Sequence, residues 1–203
     1  MTFTAAEVRS ELDKYGDPVK AKHHQGYFKT GSGEYGEGDI FIGIAVPKMR
    51  AFSRKVYSDI SLSETIVLLK SPIHEHRQTA LFILVEKYNA ARRKSLPGRS
   101  GFVSDEDLKT GMCEKKEIVT LYLDNLEYIN NWDLVDVSAS YILGEWFLET
   151  EPAGSLGEKT IWNLAESNNL WKQRVSVMTT HAFIRNGICR PTIELCTYFL
   201  PDC

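Results

Sequence analysis

The stretch 130–147, NNWDLVDVSASYILGEWF, decides how the chain is read. Its apolar residues Val135, Val137, Ile142, Leu143, Trp146 and Phe147 recur at three- and four-residue steps, the spacing of one buried helical stripe. Trp132 and Asp136 lie four apart at its opening, so a helix would project both from one face. An indole held beside a carboxylate suits a cation. A structural explanation stands next to that one. Acids such as Asp133 and Asp136 in a first turn complement the positive end of the helix dipole, Asn130 or Asn131 serves as a cap, and Trp132 packs as a staple.

Two further stretches have the same build: SPIHEHRQTALFILVEKY (71–88) and SNNLWKQRVSVMTTHAFIR (167–185). Each opens on Ser or Asn, keeps its first turn polar, continues into a long apolar stripe, and follows a shorter amphipathic segment. The second and third openings lie about 37 residues apart, within the ~34–47 residue period of helical repeats. The first gap is stretched by a loop at 92–104. Helix pairs of this kind cannot bury their apolar faces alone, so they stack. The expected fold is all-α, a HEAT-like helical-repeat solenoid (an α-α superhelix) with a concave groove. It is read as a single domain over 1–203: N-terminal helices 1–29, a Gly-rich loop 30–39 and repeats over about 47–200. Aligning the three openings puts Arg77, Asp136 and Arg174 at one equivalent place, a carboxylate between two guanidiniums.

The remaining boundaries follow from punctuation. Helices are expected at 4–15 and 17–29, parted by Gly16-Asp17-Pro18 with Pro18 at a first helical position. Others are expected at 47–58, 61–70, 72–90, 105–127, 131–149, 155–166, 168–186 and 191–200, with Ser61 and Ser71 as caps. The loop TGSGEYGEGD (30–39) lacks the order of a phosphate-cradling motif and reads as a connector. IFIGIAV (40–46) reads as a strand or as an extended linker before Pro47. Arg92, Arg93, Lys94 and Arg99 in the 92–104 loop read as a solvated charge run, with contact to backbone phosphates as the alternative.

With 203 residues, 43% of them apolar, the chain can bury a sizeable core. No run approaches the ~18–20 apolar residues of a membrane span. The opening MTFTAAEVRSELDKYG has no apolar signal region, so a soluble, cytoplasmic protein is expected. The net charge of −3 argues against a protein that coats nucleic acid, and leaves room for a local basic face. Cys189, Cys196 and Cys203 fall at helical spacing, so with Cys113 they read as free thiols. His23-His24 and the run HEH (74–76) lack further ligands at metal spacing and read as surface histidines, with no metal site expected. His181 reads as satisfied on an apolar helix. Trp146, Trp162 and Trp171 read as core or edge packing.

The segments YFKTGSGEYGEGDIFIGIAVPKMR, SPIHEHRQTALFILVEKY, YINNWDLVDVSASYILGEWF and SNNLWKQRVSVMTTHAFIR together resemble the DNA alkylation repair family, the HEAT-like-repeat alkylpurine DNA glycosylases. The similarity covers about 17–200, and its marks are W-D-x-V-D and W-x-x-R. The resemblance implies a groove that holds double-stranded DNA and hydrolysis of the N-glycosidic bond of N3- or N7-alkylated purines. Asp136 corresponds to the catalytic aspartate and Trp132 to the tryptophan beside it. Arg174 corresponds to the arginine contacting DNA near the lesion, and Tyr27 to a tyrosine closing the cleft. Arg77, placed by the helix register, would neutralise a backbone phosphate. No metal or organic cofactor is implied, because an alkylated purine is already a cationic leaving group. A monomer is expected. The family continues through another helix pair that supplies a groove tryptophan. None of the four tryptophans follows residue 171, so the last C-terminal repeat is expected to be lacking, with weaker binding and slowed or lost excision. The alternative is a non-catalytic module of the same build that binds DNA or protein.

Overall fold

The computed structural model describes residues 2–95, 103–150 and 158–200. The regular secondary structure of these residues is all helical, with two isolated β-bridges and no strand among them. Two compact units are present, Met1–Asn131 and Trp132–Cys203.

The first unit contains α1 (Ala5–Asp13), α2 (Pro18–Tyr27), α3 (Val46–Val56), α4 (Leu62–Leu69), α5 (His74–Lys94) and α6 (Asp105–Asp124). Local chemistry sets most starts. Thr4 and Glu7 form a reciprocal capping box at α1, satisfying two of the orphan amides of a first turn. Asp17 accepts from Val19 and Lys20 ahead of Pro18. Ser61 and Ser104 cap α4 and α6. At α5 the helix begins at His74 rather than at Pro72. Ser71 does not cap it: its hydroxyl accepts from Ile73 and pairs with the His76 ring.

Helix α5 is the axis of this unit. Leu81, Phe82, Ile83 and Leu84 are consecutive and all buried, which a helix tolerates only when neighbours cover several of its faces. Here α3, α4 and α6 pack on it. The helix also runs further than its apolar pattern, so Arg92, Arg93 and Lys94 form its last turn, where cations face the negative end of the dipole. Arg99 and most of the expected loop at 92–104 lie outside the described residues.

The stretch 40–46 forms no strand. Residues 40–45 lie outside any helix, with their polar groups taken by other partners, and Val46 already begins α3: Ile42 O accepts from the Asp17 amide, Ile40 O from His74. Gly43 sits at φ +82, and a Cβ there would lie 2.7 Å from Ala21 N and closer still to the Asp17 carbonyl. Only glycine allows this crossing.

The second unit contains α7 (Trp132–Asp136), a wide helical turn at Ser140–Gly144, α8 (Glu145–Thr150), α9 (Glu158–Ala165), α10 (Leu170–Thr179), α11 (His181–Arg185) and α12 (Arg190–Phe199). The continuous helix expected at 131–149 is broken. Ser138 Oγ donates to Leu134 O at 2.6 Å, and the Ser138 amide bonds to Val135 instead. This competition from a hydroxyl tightens one turn, and the next opens into i→i+5 geometry. Thr179 and Thr180 mark the break in the segment expected at 168–186, their hydroxyls back-bonding to Val175 and Val177. His181, just after this break, is exposed rather than packed in an apolar face. Helix α10 is the centre of the unit, with α7, α9, α11 and α12 against it.

Candidate functional site

Asp136 is the last residue of α7, a single turn, so its position is set by the break at Ser138 and not by a helix N-terminus. Buried Leu134 and Val135 anchor that turn. Trp132, four residues earlier on the same turn, is half-buried. Across from it, Asn169 caps α10 by accepting from Trp171 and Lys172 at 3.0 Å each. Val175, Ser176 and Thr179 turn the other side of α10 into the core. Arg174 is thereby held at the α7–α10 contact.

The two side chains meet as a fork. Arg174 Nε donates to Asp136 Oδ1 at 2.9 Å and Nη2 to Oδ2 at 2.8 Å. The geometry is that of a bidentate guanidinium–carboxylate pair, which fixes the plane of both groups. Side-chain exposures of 38% and 30% leave the pair open to an incoming ligand. Trp171, one turn before Arg174, is half-buried. An oriented carboxylate with an indole on its own helical turn and a fixed guanidinium can hold an anionic scaffold and face a centre of developing positive charge.

The segments that build this arrangement, WDLVD (132–136) and WKQR (171–174), fall within a match to the DNA alkylation repair enzyme family that spans residues 8–202. The chain belongs to the DNA alkylation repair enzyme family. That places it in DNA repair, in a family of enzymes named for damaged DNA. No curated protein and no solved structure matches it. No helix among the described residues is long and apolar enough to cross a membrane.

The other two residues expected at the site of this family member lie in the first unit. Tyr27 ends α2, a helix with no buried residue, and is 59% exposed. Its ring stacks on His23 at 6.4 Å between centroids. Arg77 overturns its expectation. It is 5% exposed, ion-paired with Asp39, and donates to the carbonyls of Ser71 and Pro72. A guanidinium so enclosed has no surface to offer a phosphate. Its helix register matches that of Arg174, but a different neighbour claims it.

That neighbour belongs to a buried network. Asp39 Oδ2 receives His74 Nδ1 at 2.9 Å and Asn131 Nδ2 at 3.1 Å, while Oδ1 takes Arg77. Burial raises the Asp39 pKa, but the His74 hydrogen bond and the Arg77 charge outweigh it and hold the group below its ordinary 3.8. Asn131 is therefore a donor to Asp39, as well as a neighbour of Trp132 in sequence. Glu75 accepts from the amides of Ile42, Gly43 and Ile44. His76 bridges Ser71 and Asp13, at 3.0 and 2.8 Å. The HEH run is thus interior, with His74 and His76 only 1% and 3% exposed, correcting the surface reading. No group of three His, Cys, Asp or Glu among the described residues is placed to hold a metal. Cys113, Cys189 and Cys196 are free and exposed.

Proposed function

We propose that this family member is a DNA glycosylase that hydrolyses the N-glycosidic bond of N3- or N7-alkylated purines in duplex DNA. In this reading the fold is a HEAT-like helical-repeat solenoid whose concave groove holds the duplex. Alkylation makes the purine cationic, so it departs without a strong general acid. The barrier lies in the sugar, which becomes oxocarbenium-like as the bond breaks. The Asp136 carboxylate stabilises that charge and orients the attacking water. Trp132 packs against the deoxyribose. Arg174 holds Asp136 in plane and contacts the DNA near the lesion, and exposed Tyr27 is the tyrosine that closes the cleft.

The observation that carries this reading is the bidentate Asp136–Arg174 pair, exposed on one side and fixed by core packing on the other. A carboxylate placed only to complement a helix dipole has no need of a planar partner from another helix.

The test is release of free base from duplex DNA methylated at N7 of guanine or N3 of adenine. Release by the wild-type chain, abolished in Asp136→Asn with duplex binding retained, supports the reading. Duplex binding with no base release by the wild type overturns it in favour of a non-catalytic binding module.

A further inference from the structure

Helix α3 carries Lys48, Arg50, Arg54 and Lys55 and no acid, in a chain whose net charge is −3. Its buried residues, Met49, Ser53 and Val56, turn inward where it packs on α5. All four cations are exposed. At about 3.6 residues per turn, Lys48 and Lys55 fall in one row along the helix and Arg50 and Arg54 in a second. Pro47 and Ala51 lie between the rows and are too short to hold a ligand away from them. Arg54 is paired, its Nε 3.3 Å from Glu86 Oε1, but its side chain keeps 67% of its surface in solvent, and such a pair is weak. Lys48, Arg50 and Lys55 have no carboxylate at ion-pair distance among the described residues. Two of these lie on rings instead: Lys48 Nζ is 5.2 Å from the centre of Tyr15, and the Arg50 guanidinium 4.2 Å from that of Phe82. A ring steadies a cation without cancelling its charge.

We propose that this outer face of α3 binds the phosphate backbone of double-stranded DNA, whether or not the DNA is damaged. The duplex is taken from the reading above; excision of a base is not needed for it. The rows cover about 10 Å of helix at about 1.5 Å per residue. One DNA strand presents a charge about every 3.4 Å, so about three phosphates lie along the face. Three unpaired cations meet them. An acidic protein segment fits less well, because it must be ordered to keep carboxylates at this density, whereas a duplex carries its charges at fixed spacing. Packing of α3 on α5 sets the cations in place before binding, which lowers the ordering cost. Lysine and arginine on phosphates position a protein without reading sequence, so the face would hold the chain on undamaged DNA between lesions. It also supplies the phosphate contact in the first unit that enclosed Arg77 cannot make.

The test is binding of the full chain to an undamaged duplex of about 20 base pairs, read by fluorescence anisotropy from about 50 to 200 mM salt. Lys48→Gln and Lys55→Gln should each lower the log–log salt slope by about 0.9 and weaken binding near 0.1 M salt by about eightfold. The double variant should lose about 1.8 in slope and about sixtyfold in affinity. Arg50→Met, which keeps Phe82 covered, should behave like either single lysine variant. Lys116→Gln removes the same charge from an exposed position on α6 and should leave the slope unchanged. Circular dichroism and melting of the lysine variants should match wild type. The proposal is overturned by an unchanged slope in the double variant, by an equal loss in Lys116→Gln, or by a wild type that binds no duplex. A polyglutamate peptide bound with the same sensitivity to Lys48→Gln also overturns it, because the face would then be a general anion contact. Base release is scored separately. Slopes that fall as expected with no base released keep this proposal and sink the glycosylase reading, and unchanged slopes with base released do the reverse.

Discussion

Arg174 and Asp136 share two hydrogen bonds, 2.9 and 2.8 Å long, between α10 and α7. Both side chains keep about a third of their surface in solvent, so the pair adds little to stability, on the order of 0–1 kcal/mol. Its value is geometric. We therefore expect Arg174→Lys to lower base release by about tenfold or more, since a lysine cannot hold both carboxylate oxygens. Asp136→Asn should lower it by about 10²–10³, the cost of losing an electrostatic stabiliser of a transition state. Thermal melting of each variant should stay within a few degrees of wild type. A large fall in melting temperature would recast the pair as structural.

Arg77 gives the opposite prediction. It and Asp39 are both nearly enclosed, and cutting a buried pair leaves one charge without compensation. Arg77→Ala should cost about 3–5 kcal/mol in urea unfolding. Arg77→Met should cost less if the Asp39 carboxyl takes up a proton. Because Arg77 is buried and committed to Asp39, its loss should leave the salt dependence of DNA binding by the folded fraction unchanged. A phosphate contact would instead reduce the log–log slope by about 0.9.

The contrast between these two arginines marks how far the sequence could be read. The 3.6-residue pattern, the cap at Ser61 and Pro18 at a first helical position announce the helices directly, because these are local chemistry, whereas Ser71 reads as a cap and is not one. The proximity of Asp136 and Arg174 is also legible, through the alignment that puts them at one equivalent place in their two segments. Arg77 shares that register and looked identical, but its partner Asp39 is 38 positions away in a Gly-rich loop, and nothing local points to it. A separation of 35 positions from the same Asp39 hides His74. The break after α7 was hidden for another reason. Ser138 fits a helix by pattern, and only its side-chain choice of the Leu134 carbonyl turns it into a stop.

His76 sets a pH dependence. Burial pushes its pKa below the ordinary 6.5, and the hydrogen bond it donates to Asp13 only partly opposes this, with Arg9 and Glu75 as the other charges acting on it. The folded ring therefore releases its proton more readily than the unfolded one. Below pH 6.5 the unfolded chain binds more protons, and stability falls as acid is added until the folded ring also titrates. Asp39, also depressed, acts in the same direction below pH 3.8. Melting temperature should be lower at pH 5.5 than at pH 7.5. In His76→Gln, which keeps hydrogen-bonding capacity without titrating there, that difference should shrink, as measured by paired thermal melts.

The extended segment between α2 and α3 should be the most sensitive backbone in the first unit. Glu75 holds it through the amides of Ile42, Gly43 and Ile44, and Gly43 crosses α2 where a Cβ would collide with backbone of Asp17 and Ala21. Backbone cannot swing aside as a flexible side chain can. Gly43→Ala must bear the left-handed conformation, about 1–2 kcal/mol, and the overpacking, a further ~1–3 kcal/mol. Glu75→Gln keeps shape but replaces charge-assisted bonds with neutral ones, and should cost about half as much as Gly43→Ala. Urea midpoints will rank them. If Gly43→Ala unfolds at the wild-type midpoint, the crossing is looser than described, and Glu75 has nothing rigid to hold.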